Sequence, residues 1–271
     1  MIISKPGFYP GMAMADYFAD PCPQPSLSQS IAKIILDQSV LHAASAHPRL
    51  SKIEKTEDKY EKNQAIGSAA HQILIGRGKD TAVGKFDSWR KKEAQDFRDA
   101  AFKSGQVPIL DAHYDEATKM VLAARAQLKD SGIGDAFVSG QGEVAAICQQ
   151  GELWLRILID WITPAHSCIY DYKTGGGSFA PHTINLKMET DGWAIQAAMA
   201  ERILDILDPE NAGRREFRFV AQENYAPYAL VVVEMTQHWM TMGRKQLDMA
   251  MQIWAYALSS GKWLGYGAEI V

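Results

Sequence analysis

Three apolar segments separated by turn residues constrain the fold of this chain more than any other feature: residues 144–147, 153–162 and 168–173. Gln149, Gln150 and Gly151 supply one turn, and residues 163–167, which include Pro164, supply the next. The pattern predicts a small antiparallel β-meander. Into it the sequence sets Asp160, then Asp171 and Lys173. Charges at the ends of otherwise buried strands are costly unless something pairs with them.

Strand geometry supplies a reason. Side chains two apart share a face, so Asp171 and Lys173 lie together while Tyr172 faces the opposite layer. A five-residue turn also brings Asp160 beside the start of the following strand. Two carboxylates and an ammonium then converge on one patch. Carboxylates so close repel, and a hard divalent cation such as Mg²⁺ relieves them. Lys173 is placed to orient or activate a water beside that cation, a layout suited to phosphodiester hydrolysis. Arg156, four residues before Asp160, shares its face and is positioned to meet a phosphate.

Length and composition set the outer bounds. With 271 residues, 47% of them hydrophobic, the chain can bury a large core. Residues 1–271 are expected to form a single domain, with 1–60 an N-terminal arm and helices and 61–271 the core. No apolar run is long enough to cross a bilayer, and residues 1–15 lack the basic and apolar blocks of a signal peptide. A cytoplasmic protein with no membrane partner is expected. Cys22, Cys148 and Cys168 lie far apart and read as buried thiols. The net charge of −4 disfavours a general nucleic-acid coat protein, but an enzyme needs only a local basic lining. Candidates for that lining are Arg90, Lys91, Lys92, Arg156, Lys187, Arg214 and Arg215. For most of them a solvated surface charge is the ordinary reading.

Along the chain, residues 1–24 read as an irregular arm. Ser28 is placed to cap a helix ending near residue 38, and residues 41–46 suggest a second short helix. Residues 52–62 look like an exposed linker. Helices are expected over 63–75, 92–103, 111–132 and 188–207, with 107–110 an extended connector. Residues 214–221 and 229–234 read as strands, the second apolar enough to be central. Thr236 is placed to cap a last helix with Gly261 just past its end. Met240, Met242, Met249 and Met251 suggest adaptable packing or a subunit contact. The three glycines from Gly175 lack the ending of a phosphate-binding P-loop. Taken alone, His71 on the helix over 63–75 is an ordinary packing histidine.

The step from Asp160 to Asp171 and Lys173 resembles the core of the PD-(D/E)xK nuclease superfamily. Gly67-Ser68-Ala69-Ala70-His71 resembles the helical histidine motif of its RecB-like branch. Within that branch the chain is most similar to RecE-like exonucleases of the exodeoxyribonuclease VIII type. The similarity rests on Tyr17-Phe18-Ala19-Asp20-Pro21 with Ser26-Leu27-Ser28-Gln29-Ser30, on Asp171-Tyr172-Lys173-Thr174, and on Trp263-Leu264-Gly265-Tyr266-Gly267. It runs from about Asp16 onward.

The resemblance implies an α/β fold, a PD-(D/E)xK nuclease core with a central mixed β-sheet flanked by helices. It implies metal-dependent 5′→3′ digestion of linear double-stranded DNA in phage-type recombination. His71, Asp160, Asp171 and the backbone carbonyl of Tyr172 would hold Mg²⁺ or Mn²⁺, and Lys173 would position water. Gln196 matches the glutamine of a Gln-x-x-x-Tyr motif whose tyrosine position here holds Ala200. Glu143 is either an exposed strand start or a residue near the metals, and Ser28 either a cap or a phosphate contact. Some relatives hold an iron-sulfur cluster with four cysteines; with three, none is expected here. The implied partners are duplex DNA ends, further copies in a homo-oligomeric ring, and a RecT-like single-strand annealing protein, in a bacterial or phage-infected cell. A related endonuclease or single-strand nuclease, or a non-hydrolytic DNA-binding module, would be built on the same frame.

Overall fold

A computed structural model describes residues 2–52 and 60–266 of the chain. The first third comprises β1 (Gly7–Pro10), α1 (Met14–Phe18), β2 (Leu27–Ser28), α2 (Gln29–Asp37), α3 (Val40–Ala46) and α4 (Lys62–Ile75). Next come β3 (Thr81–Gly84), α5 (Lys92–Lys103), β4 (Val107–Leu110) and α6 (Asp111–Asp130). The meander is β5 (Gln141–Gln150), β6 (Leu153–Ile162) and β7 (Cys168–Gly175). The chain continues through α7 (Pro181–Thr190), α8 (Trp193–Leu207), β8 (Glu216–Glu223), β9 (Leu230–Glu234) and α9 (Gln237–Ser260).

The main sheet is mixed, in the order β1-β5-β6-β7-β8-β9, with β2 added to β6. Most neighbours are antiparallel, but β7 runs parallel to β8 and β2 parallel to β6. Helices α2, α8 and α9 cover one face, where Leu155, Ile157, Ile159 and Phe219 meet Leu204, Leu247 and Trp254. Helices α4 and α6 cover the other, where Tyr170, Tyr172 and Val220 meet Ile66, Ala70 and Met120. Each layer buries an apolar helix stripe that water would otherwise solvate at a cost. Among the described residues no helix is long and apolar enough to cross a membrane.

Several local expectations are corrected. The arm over residues 1–24 is not irregular throughout: β1 extends the sheet along β5 and α1 follows it. Gln149 and Gln150 stay paired with Trp154 and Leu153, so only Gly151 and Glu152 turn the chain. Residues 107–110 are a strand, parallel to β3 in a separate two-stranded sheet. The long helix over 188–207 is two helices, broken at Gly192, whose φ of +75° is left-handed. Strand β9 is an edge, not central; its valines are only half-buried. Residues 53–59 of the proposed linker and Gly267 of the C-terminal string lie outside the described residues.

The N-terminal arm is fixed by a buried polar cluster. Asp20 accepts hydrogen bonds from Ser26 Oγ at 2.7 Å and Ser26 N at 3.0 Å. His47 Nδ1 accepts the Arg49 backbone N–H, leaving Nε2 to donate to Ser26 O at 3.1 Å beside Asp20 Oδ2 at 3.2 Å. Arg156 Nε donates to Ser26 Oγ at 2.8 Å, lies 3.4 Å from Asp20 Oδ1 and sits over the Tyr17 ring. Arg156 and Asp160 are four apart, as the phosphate reading required, but Arg156 is buried under the arm with its charge already matched. Ser28 is likewise a helix cap, its Oγ accepting from Ile31 N. Both substrate-contact readings are therefore set aside.

Candidate metal centre and active site

The site forms where the sheet opens. Strand β6 has β5 along one edge; on its other edge Leu155 and Arg156 pair with β2, while only Trp161 and Ile162 pair with β7. Strands β6 and β7 therefore part company at Asp160 and Asp171. The backbone N–H of Tyr172, beside that parting, donates to Asp160 Oδ2 at 2.9 Å. Opposite Asp160 on β5 stands Glu143, whose φ of +53° breaks the regular pleat. The alternation slips there: Ile159 faces the first helical layer, and Asp160 and Trp161 both face the second.

Helix α4 completes the cluster from above. His71 Nε2 lies 3.4 Å from Asp160 Oδ2 and 3.5 Å from Glu143 Oε1. One ligand atom from each of His71, Glu143 and Asp160 falls within 4.8 Å of the others. After α4 the chain turns through Gly76-Arg77-Gly78-Lys79 and folds back against the imidazole. Gly78 has a φ of +128°, and a Cβ there would sit 3.1 Å from His71 Nδ1. Only glycine suits that position.

Asp171 and Lys173 project from β7 toward α8. Lys173 Nζ lies 2.6 Å from Asp171 Oδ1 and donates to Gln196 Oε1 at 2.9 Å. Gln196 Nε2 donates in turn to Asp171 Oδ2, closing a ring of three side chains. Tyr172 points the other way, its hydroxyl donating to Gln222 Oε1 at 2.6 Å.

The structure thus brings His71, Asp160, Asp171, Lys173, Gln196 and Glu143 into one neighbourhood, and leaves Arg156 and Ser28 outside it. Within the neighbourhood the ligand set differs from the sequence expectation. Glu143, not Asp171, stands with His71 and Asp160, and Asp171 is tied to Lys173 and Gln196. Sequence reading did not single out Arg77, whose charge acts on Glu143, or Lys79, which lines the cavity at the cluster. The glycines bracketing Arg77 immediately after the histidine helix were the available signal. Of the basic candidates, Lys92, Lys187 and Arg215 are engaged with Asp96, Asp191, and Asp205 with Asp208.

The charges shift one another strongly. Burial works against a proton on His71, yet Asp160 and Glu143 hold its pKa up at about 9. Burial pushes Glu143 up to about 7 even with His71 beside it. Burial also pushes Asp171 up to about 6 despite Lys173. Burial opposes charge on Asp160 too, but His71 and Lys173 outweigh it and its carboxyl lies below the ordinary range. Lys173 is raised: burial pulls it down, and the Asp171 and Asp160 carboxylates more than offset this.

These residues fit a divalent cation. Glu143 Oε2 is buried and has no hydrogen-bond partner among the described residues. A buried carboxylate oxygen without a donor is a group that calls for one. Two carboxylates with one imidazole form a donor set suited to Mg²⁺ or Mn²⁺.

No curated protein matches the chain. Among solved structures it is similar to one named "Putative exonuclease" from Eubacterium rectale, at a TM-score of 0.62 and 13% identity, over 96% of this chain and 91% of the other. A second, SSO0001, aligns at a TM-score of 0.29 and 9% identity over 79% of this chain and 84% of the other. The first likeness is one of fold, matching the mixed sheet with helices on both faces. Residues 39–266 match the PDDEXK-like domain of unknown function (DUF3799), a span that contains the acidic cluster, Lys173 and Gln196. The chain belongs to this PDDEXK-like family, within the PD-(D/E)xK nuclease superfamily.

Proposed function

We propose that this protein is a metal-dependent deoxyribonuclease that digests linear duplex DNA from its 5′ ends, leaving a 3′ single strand for an annealing partner of the RecT kind. One observation carries the hydrolytic part. His71, Glu143 and Asp160 present three ligand atoms within 4.8 Å, with an unpartnered Glu143 oxygen among them, beside a lysine held by Asp171 and Gln196. His71, Glu143 and Asp160 would hold Mg²⁺ or Mn²⁺. Bound there, the cation would offset phosphate charge and make a water more acidic.

The chain's own groups do the rest. Asp171 and Gln196 fix the Lys173 ammonium, so it donates hydrogen bonds from one position instead of sweeping through solvent. Close enough for its charge to act on Asp160, that ammonium orients a water for attack on phosphorus and steadies the charge building on the phosphate oxygens. Tyr172, through its backbone N–H, holds Asp160 in the rotamer that faces His71. The preference for duplex ends, the 5′ polarity, the ring of copies and the annealing partner are supported by the order and spacing of the RecE-like motifs.

Purified protein with linear or closed circular duplex DNA and MgCl₂ tests the reading. Release of mononucleotides from the linear form alone, abolished by EDTA and by Lys173→Ala, is the expected result. Cleavage of the circle would move the protein to the endonucleases. A Lys173→Ala variant as active as the unmodified chain would remove the lysine from the mechanism.

A further inference from the structure

The acidic cluster opens into a groove of two joined cavities. The nearer, about 500 Å³, is walled by His71, Glu143, Asp160 and Tyr172. The farther, about 490 Å³, is walled by Tyr60, Phe102 and Gln106. Met14 and Phe18 of α1 border both, as do Gly78 and Lys79 of the turn after α4. Each cavity has the size that holds a small organic ligand, too small for a duplex.

Phe18 is the unusual member. Its side chain is 49% exposed, yet its backbone is firmly anchored. Tyr17, next to it, is buried under the Arg156 guanidinium, and Asp20, two residues on, is locked by Ser26, His47 and Arg156. An aromatic face held on a fixed base beside an open groove costs apolar exposure with no gain to the core, since among the described residues Phe18 joins none of the buried clusters. A base-stacking platform is the use that chemistry offers: every nucleobase has a π-face, and stacking repays the energy of taking it out of the duplex.

We propose that the farther cavity is a subsite for one unstacked nucleotide of the strand being cut, its base stacked on Phe18 and its phosphate beside the exposed Lys79. The inference rests on the nuclease reading above and adds to it a residue that positions substrate. It also gives α1 and the buried Asp20 cluster a task, to hold the platform a fixed distance from the acidic residues.

The test pairs a protein change with a DNA change. Linear duplexes carrying a single abasic nucleotide at successive positions from the end are digested by the unmodified protein, Phe18→Ala and Phe18→Trp. Phe18→Ala is expected to raise KM roughly ten- to hundredfold on intact DNA with kcat changed far less, and Phe18→Trp to restore it. At one abasic position the unmodified protein should show the same KM rise, and there Phe18→Ala should add nothing further. Retained melting temperature in Phe18→Ala keeps the comparison one of binding. An active nuclease indifferent to Phe18, or an abasic effect that Phe18→Ala simply adds to, overturns this subsite and leaves the nuclease reading standing. A protein with no nuclease activity on any of these DNAs removes both.

Discussion

Asp20→Asn removes one negative charge from the middle of the N-terminal clamp while keeping its shape. In the folded chain, burial alone would push this carboxyl up, but hydrogen bonds from His47 and Ser26 and the charge of Arg156 hold it at about 2, against an ordinary 3.8. At about 1.4 kcal/mol per pH unit, that depression is worth about 2.5 kcal/mol of stability. The substitution also strands the Arg156 guanidinium, 4% exposed, without its carboxylate. Losing one partner of a buried pair costs about 3–5 kcal/mol. Arg156 is already one of the causes of the Asp20 shift, so the two figures overlap instead of adding and place the loss at pH 7 at about 3 kcal/mol.

The sign with pH follows from the direction of the shift. A carboxyl depressed in the folded state stabilises above its unfolded pKa and loses that contribution as pH falls through the folded one. The gap between the unmodified protein and Asp20→Asn should therefore be full above about pH 5 and shrink as pH falls through the window from 3.8 to about 2, by about 1.6 kcal/mol at pH 2.5, with the remainder lost below pH 2. Urea unfolding followed by tryptophan fluorescence at pH 7, 5, 3.5 and 2.5 measures it. A variant within about 0.5 kcal/mol of the unmodified chain at pH 7, the range of ordinary surface changes, would refute the reasoning. So would a gap that stays constant down to pH 2.5.

Gln196→Ala frees both Lys173 and Asp171; kcat should fall about 10- to 100-fold with KM little changed, in steady-state digestion of linear DNA. Gly78→Ala forces a side chain into a φ of +128° and against His71, so the melting temperature should drop by an amount equivalent to about 1–3 kcal/mol. MnCl₂ at 100 times its Kd should stabilise the unmodified chain by about 2.7 kcal/mol in a thermal melt, and Glu143→Gln should erase most of that gain.

Much of the frame was legible because it is local. The meander, the capped α2 and α9, and the α4 stripe each follow from spacing within one stretch of chain. The juxtaposition of Asp160 with Asp171 and Lys173 needed only a tight turn and the period of a strand. What escaped is non-local. Arg156 has the parity expected of a phosphate contact, yet its partners are Asp20 and Ser26, more than a hundred residues away, and no spacing rule reaches them. The ligand set depends on a slip in the pleat at Glu143, which exchanges Glu143 for Asp171 beside His71. Strand β9 reads as central because four apolar residues in a row look the same on an edge as in the middle. Gly192 lies inside the single helix expected over 188–207, and its left-handed backbone divides α7 from α8.

The cluster of His71, Glu143 and Asp160 as a divalent cation site is the claim on which the chemistry rests. Crystals soaked in MnCl₂, with anomalous data collected near the manganese edge, test it most directly. The account predicts a peak within about 2.5 Å of His71 Nε2 and of one carboxylate oxygen from each of Glu143 and Asp160, with Lys173 still tied to Asp171 and Gln196. A peak bound elsewhere with this cluster bare, from protein that digests DNA in the same MnCl₂, would contradict it.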